Sequence, residues 1–306
     1  MVIMNGLGGI TLELRVLRYF LTVAREGSIS RAAHVLHLTQ PTLSRQLMEL
    51  EERLGTKLFI RGNRKMTLTD EGLLLRKRAQ EIIDLVQKTE GELQTSDEII
   101  GDIYMGCGET YGMSIVAKII KELQNTYPGI RYHLFSGNAD EVTDRLDKSL
   151  IDFGILIEPI QSTNYDSIYL PDVDTWGLLM RKDSPLASRT TIRPEDLWEI
   201  PLISSNQTLV SHEISKWLKK DYEKLNWVAT YNLIYNASLM VEQGIGYALC
   251  LDRLVNTSSD SPLCFKPLEP PLEAEIAIVW KKHQLFSKPA TLFYQRIHET
   301  LANAKL

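Results

Sequence analysis

Closely spaced helix signals fill residues 12–68, and they restrict the fold more than any other feature of the chain. Leucines recur every three or four residues from Leu14, which predicts an amphipathic helix that ends at Gly27. Ser30 is the predicted N-cap of a short second helix that runs through Val35.

A third helix follows after a turn of three residues, 37–39. Thr39 is a favourable N-cap, and Pro41 lies in the first turn, where a missing N–H costs no hydrogen bond. Gly55 ends the helix. Two short helices joined by so short a turn predict a helix-turn-helix, in which the third helix is the recognition helix.

The exposed face of this third helix carries the candidate DNA contacts. Its leucines between Leu43 and Leu54 form a core stripe, and a helical projection places Arg45 opposite that stripe. Arg45 suits a guanine edge and Gln40 or Gln46 an adenine, although a solvated surface charge is the alternative reading of Arg45. The predicted DNA contacts on this helix are Thr39, Gln40, Pro41, Thr42, Ser44, Arg45 and Gln46.

A short hairpin with a basic tip comes next. Residues 58–60 and 66–68 are predicted strands around a turn at Gly62 and Asn63. Cations on such a tip favour contact with phosphates or the minor groove over a merely solvated loop. These cations are Arg61, Arg64 and Lys65, and residues 12–68 are therefore predicted to form a winged helix-turn-helix.

Charge is distributed unevenly along the chain. The net charge is −5 overall, but residues 10–68 hold ten lysines and arginines against five acidic residues, a net charge of +5. This asymmetry predicts a basic module that binds double-stranded DNA and an acidic regulatory module.

A long helix is predicted over 69–95, capped by Thr69. One narrow apolar seam at coiled-coil spacing predicts dimerisation through this linker helix. The seam consists of Leu75, Ala79, Ile82, Val86, Thr89 and Leu93.

Strand and helix signals alternate from residue 101 to 306. This order predicts an α/β effector-binding domain, with parallel sheets covered by helices and arranged as two lobes. The predicted strands are 103–107, 130–136, 153–157, 176–180, 201–204, 227–231, 245–249 and 274–280, and the predicted helices include 113–124, 139–146 and one from Pro289.

The N-terminal segment resembles the LysR-type transcriptional regulators at many fixed spacings. The resemblance implies a linker-helix dimer, a tetramer built as a dimer of dimers, and an effector domain of the periplasmic-binding-protein type with the small-molecule effector between its lobes. The matching residues are Phe20, Val23, Ala24, Gly27, Ser28, Ser30, Ala32, Ala33, Leu36, Thr39, Gln40, Pro41, Leu43, Ser44, Leu50, Glu51, Leu54, Gly55, Leu58, Phe59, Arg61, Leu68, Thr69 and Gly72, with looser matches at 101–106, 127–129, 150–156 and 244–246.

Candidate effector contacts lie where the predicted strands end, the edge at which α/β sheets bind ligands. The family's effector-contacting positions correspond to Thr110, Tyr111, Ser136, Asn138 and Ser204, although an ordinary cap or turn explains each of them equally well. Glu109 and Glu158 are added candidates that would select a cationic or hydrogen-bond-donating ligand over a dicarboxylate.

Other classes of protein find less support. Three cysteines without a CxxC pair favour a reducing cytoplasm, and residues 1–10 do not have the pattern of a signal peptide. The chain carries none of the common catalytic motifs, so we expect no enzyme, no cofactor and no metal site. A solute-binding protein and an architectural DNA binder without an effector are the alternatives.

Overall fold

The computed structural model describes residues 12–62, 65–93, 99–158, 160, 163–206, 208–219 and 224–303. The chain divides into two compact units, with the boundary between residues 93 and 94. Within the described ranges, no helix has the length and apolar character needed to cross a membrane.

The first unit is a winged helix-turn-helix followed by a long helix. Its core packs Phe20 of the first helix against Leu43 of the third and Ala79 of the fourth. Its elements are α1 Leu14–Glu26, α2 Ile29–Val35, α3 Gln40–Leu54, β1 Phe59–Arg61, β2 Met66–Leu68 and α4 Asp70–Glu92.

Local signals set these helix ends. Gly27 and Gly55 end α1 and α3 in the left-handed conformation, with φ of 61° and 67°, which glycine adopts without a steric penalty. The Thr39 hydroxyl accepts a hydrogen bond from the Thr42 N–H, as predicted. The prediction for α2 was wrong, because Ser28, and not Ser30, has extended backbone and accepts the Arg31 N–H.

The predicted seam of α4 lies on one face of the helix, but the burial of its residues changes along the helix axis. Leu75 and Ala79 pack in the core of the first unit, because α1 covers this side of α4. Ile82 and Leu93 are exposed, and Leu74 and Leu85 are exposed with them. The N-terminal part of the seam therefore belongs to the core of the first unit, and the pairing of two chains through its exposed part, from Ile82 onward, stays a prediction.

The second unit has two lobes, each built on one sheet. The first sheet has the order β4-β3-β5-β13-β6, and the second has the order β11-β7-β10-β8-β9 with β12 beside β7. The elements are β3 Gly101–Cys107, α5 Met113–Thr126, β4 Ile130–Ser136, α6 Ala139–Asp147, β5 Phe153–Ile157, β6 Tyr165–Tyr169, β7 Asp174–Arg181, β8 Leu202–Ser205, α7 Thr208–Leu218, β9 Trp227–Tyr231, α8 Ile234–Glu242, β10 Tyr247–Leu251, β11 Leu263–Pro267, β12 Glu273–Ala274, β13 Ile276–Lys281 and α9 Lys288–Asn303.

The sheets are mixed, although parallel sheets were predicted. The chain enters the second lobe at β7 and returns to the first through β12 and β13, so that β13 runs antiparallel to β5 and β6. Strand β7 is likewise antiparallel to β10 and β11. The two crossing segments pair with each other, with Asp174 opposite Ala274.

Candidate functional site

The recognition helix α3 presents the predicted residues toward solvent. Leu43, Leu47 and Leu50 are buried, whereas the side chain of Arg45 is 78% exposed. Thr39, Gln40, Pro41 and Thr42 are exposed at the start of the helix, and Ser44 and Gln46 are half-buried.

One carboxylate holds two of these side chains. Arg45 Nε lies 2.9 Å from Glu49 Oε1, and Gln46 Nε2 donates to Glu49 Oε2 at 2.9 Å. Such an exposed ion pair contributes less than about 1 kcal/mol, so a base edge or phosphate can replace it at little cost. The carboxylate thus orients both side chains without locking them.

The wing is anchored to the rest of the first unit. Met66 N–H donates to the Gly27 carbonyl at 3.0 Å, and Gly62 N–H donates to the Lys65 carbonyl at 3.1 Å. Lys65 is exposed. Arg64 and the side chain of Arg61 lie outside the described residues, so both remain predictions.

Glu51 joins the recognition helix to the wing, a role that the sequence did not suggest. Its Oε1 accepts the Leu58 N–H at 2.9 Å and the Phe59 N–H at 3.3 Å, and its Oε2 accepts Lys57 Nζ at 2.7 Å. Burial by itself would raise the pKa of the Glu51 carboxyl, but these hydrogen bonds outweigh it and the pKa is lowered. A glutamate on the buried side of an amphipathic helix was the available signal.

A cleft of about 780 Å³, counted to its open mouth, lies between the two lobes of the second unit. A cleft between two lobes is a common location for a small-molecule site. The charged residues among its described lining are all acidic. The lining consists of Gly108, Glu109, Gly137, Ala139, Leu156, Ile157 and Glu158 from the first lobe, and Trp176, Ser205, Glu213, Tyr231, Asn232, Ile234, Leu251 and Leu254 from the second.

Two of the seven predicted effector contacts, Glu109 and Glu158, line this cleft. The Ile234 N–H at the start of α8 donates to Glu109 Oε2, so this contact joins the lobes. Burial raises the pKa of the Glu109 carboxyl, and the hydrogen bond from Ile234 opposes that shift. Glu158 stays within its own lobe, where it accepts the Ile160 N–H and the Tyr169 hydroxyl.

Ser136, Asn138 and Ser204 lie outside the described lining. Ser136 is exposed at the end of β4, and Asn138 caps α6 by accepting the Glu141 N–H at 2.9 Å. Ser204 is fully buried one residue before Ser205, which does line the cleft. Strand residues alternate between faces, so Ser205, and not Ser204, faces the cleft.

Thr110 and Tyr111 also lie outside the lining, because a buried carboxylate binds both. Asp174 Oδ2 accepts the Thr110 hydroxyl at 2.6 Å and the Tyr111 N–H at 3.1 Å. Arg253 lies 3.2 Å from Asp174 Oδ1, with its guanidinium 4.3 Å from the centre of the Tyr111 ring. Asp174 begins β7 in the second lobe, so these contacts hold the two lobes together.

Two family models match the chain. The model described as LysR substrate binding domain matches residues 96–302, and the model described as bacterial regulatory helix-turn-helix protein, lysR family, matches residues 14–73.

Curated relatives and a solved structure agree with these matches. The chain is 29% identical to the uncharacterized HTH-type transcriptional regulator YvbU of Bacillus subtilis over 76% of this chain and 79% of the relative. It is 31% identical to the HTH-type transcriptional regulator BsdA of the same organism over 63% of this chain and 66% of the relative. Full-length CbnR in complex with its target DNA has the same fold, at 17% identity and a TM-score of 0.71, over 94% of this chain and 100% of that one.

Proposed function

From the membership of the chain in the LysR family of transcriptional regulators, we propose that α3 and the wing read operator DNA while the inter-lobe cleft binds the effector. The family is one of regulators and not of enzymes, as predicted. Because its partner is operator DNA, we place its action in the cytoplasm.

The observation that carries the DNA-binding proposal is the position of Arg45. Its guanidinium projects from the exposed face of α3, opposite the buried Leu43 and Leu50. A guanidinium there reaches the major groove and binds a guanine through two hydrogen bonds. Gln46 shares its carboxylate partner, Glu49, so the two side chains are placed to read neighbouring base pairs. The remaining contacts proposed on this helix are Thr39, Gln40, Pro41, Thr42 and Ser44.

The wing cations have a different proposed role. Lys65, Arg61 and Arg64 neutralise phosphates beside the recognition helix, which adds affinity but little sequence discrimination. The two classes of contact are therefore separable by substitution.

Arg45→Ala is expected to weaken binding to the operator by about 1–3 kcal/mol, roughly 5- to 150-fold, with little change on scrambled DNA. Lys65→Ala is expected to weaken binding to both DNAs alike. It should also reduce the slope of log affinity against log salt concentration by about one. The operator probe is a duplex selected from random DNA by the full wild-type chain, and affinities are measured by fluorescence anisotropy. Equal losses for Arg45→Ala on both DNAs would remove its base-reading role.

We also propose that two chains pair through α4. Leu74, Ile82, Leu85 and Leu93 leave an apolar stripe exposed on its outer face, between 37% and 74% accessible. A second copy of the helix would cover this stripe, and such dimers pair into the tetramer that the family resemblance implies. Sedimentation of the full chain tests the proposal, and a monomer at micromolar concentration would contradict it.

The effector proposal is carried by the cleft. Residues of both lobes line it, so a ligand there contacts both lobes at once. Such a ligand changes operator binding only to the extent that it prefers one arrangement of the lobes.

Ala139→Trp is expected to fill the cleft and abolish the response of operator binding to the active metabolite, which is the member of a metabolite panel that most changes operator affinity of the wild type, with ligand-free DNA affinity unchanged. Ala139 lines the cleft at the start of α6, where an indole would occupy ligand volume. Ala302→Trp, on an exposed position of α9, is the matched control and should leave the response intact. A metabolite response that survives Ala139→Trp would place the effector elsewhere.

A further inference from the structure

At the cleft, the start of helix α8 has one side-chain hydrogen bond from its own segment, in which Asn232 Oδ1 accepts the N–H of Leu233 and not a first-turn N–H. Its N-cap residue, Leu233, has no side chain that accepts a hydrogen bond, and the first turn contains no acidic residue. The N–H of Ile234 is instead satisfied by Glu109, which is 125 residues away in the other lobe. A carboxylate that accepts a first-turn N–H also interacts favourably with the helix dipole.

The position of Glu109 is fixed by the residues that follow it. Thr110 and Tyr111 both bind Asp174 of the second lobe, so the segment 109–111 is held against that lobe on two sides. Glu109 is half-buried in the cleft wall, where burial raises the pKa of its carboxyl. The carboxylate therefore occupies the place at which an anionic ligand would meet the N–H of Ile234.

We propose that Glu109 is an internal anion that determines the effector class, so that the cleft accepts a neutral or cationic ligand with an apolar body and excludes carboxylates. The proposal rests on the proposed function, namely that the effector binds in this cleft. A carboxylate ligand would have to displace Glu109 from α8 and also lie near Glu158. An amine meets carboxylates instead, and Trp176 with Leu251 provides apolar surface for the body of the ligand.

The test uses three probes of similar shape and different charge, namely phenylacetate, phenylacetamide and phenethylamine. Calorimetric titrations of the full chain compare the wild type with Glu109→Ala, Glu109→Gln and Glu158→Gln. Glu109→Ala leaves the Ile234 N–H at the start of α8 without its acceptor. This variant is expected to bind phenylacetate about tenfold more tightly than the wild type. A gain of this size is within the range for an anion at a partly buried helix N-terminus. The wild type is expected to prefer phenethylamine to phenylacetate.

The two glutamine variants separate occupancy from charge. Glu109→Gln loses the charge but keeps an oxygen that can accept the Ile234 N–H, and Glu158→Gln removes a cleft charge elsewhere. Each is expected to gain less affinity for phenylacetate than Glu109→Ala, because Glu109→Gln keeps the Ile234 N–H occupied and Glu158→Gln leaves Glu109 in place. A gain in Glu158→Gln equal to that of Glu109→Ala overturns the proposal, as does the absence of any gain or binding in Glu109→Ala.

Tryptophan fluorescence checks that Glu109→Ala is folded, and Glu109→Ser takes its place in the same titration if it is not. These titrations contain no DNA, so they test the role of Glu109 separately from the proposed function. If Ala139→Trp abolishes the metabolite response while Glu109→Ala gains nothing, only the role of Glu109 is wrong. If the metabolite response survives Ala139→Trp, the proposed effector site is wrong whatever phenylacetate does.

Discussion

Glu51→Ala is expected to destabilise the wing by about 2–5 kcal/mol, because it leaves the N–H groups of Leu58 and Phe59 without their acceptor at a buried position. Hydrogen exchange of the full chain, followed by mass spectrometry, measures the loss in the peptide that covers residues 57–68. A peptide from β3 in the second unit serves as the internal reference and should not change. Operator binding should weaken as well, since the wing then no longer keeps its place beside α3.

Glu51→Gln is the matched control for this prediction. It keeps one oxygen for both N–H groups and loses the ion pair with Lys57, whose side chain is 75% exposed, so the cost should stay below about 1 kcal/mol. If Glu51→Gln destabilises the wing as much as Glu51→Ala, the charge and not the hydrogen bonds fixes the wing.

The pH dependence of the wing follows from the lowered pKa of Glu51. The stability that this carboxylate provides is present above its ordinary pKa of 4.5, and it is lost as the pH falls through the lower pKa of the folded state. Acid should therefore accelerate exchange in residues 57–68 of the wild type beyond the intrinsic pH effect. Glu51→Gln should not show this additional acceleration.

Asp174→Ala is expected to destabilise the second unit by about 2–5 kcal/mol. It leaves the Thr110 hydroxyl and the Tyr111 N–H without this acceptor in the joint between the lobes. All five tryptophans lie between residues 176 and 280, so fluorescence during urea unfolding of the full chain reports on this unit alone. An unchanged midpoint would show that the joint rearranges without cost.

Two milder variants accompany this measurement. Thr110→Val removes a hydroxyl that donates to Asp174 and accepts the Gly112 N–H at 3.0 Å, and it should cost about 1–3 kcal/mol, because Asp174 keeps the Tyr111 N–H and Arg253. Asp174→Asn keeps an acceptor oxygen and should cost less than the alanine variant.

The sign of the pH effect at Asp174 is opposite to that at Glu51. Burial raises the pKa of Asp174, with the hydrogen bonds from Thr110 and Tyr111 opposing the shift, and the net direction is upward. The stability that its protonated form provides is fully present below its ordinary pKa of 3.8 and is lost as the pH rises through the raised pKa of the folded state. Asp174→Asn should remove that fall in stability.

Most of the first unit was predictable because its signals are local. The ends of α1 and α3 follow from Gly27, Thr39 and Gly55, since caps and left-handed glycines act on residues within one helical turn. Local signals were less decisive in the second unit. Strands β6 and β11 were missed because they are short and polar residues or a proline interrupt their apolar pattern.

The sequence by itself determined the winged helix-turn-helix, the two-lobed α/β effector domain and the exposed face that carries Arg45. The tertiary structure decided which polar groups at the strand ends face a ligand. Thr110 had the pattern of a ligand contact but binds Asp174, 64 residues away, and Glu109 caps a helix of the other lobe. Helix caps and periodicity depend on neighbours within a few residues, whereas the partner of a buried hydroxyl or carboxylate depends on segments that only folding brings together.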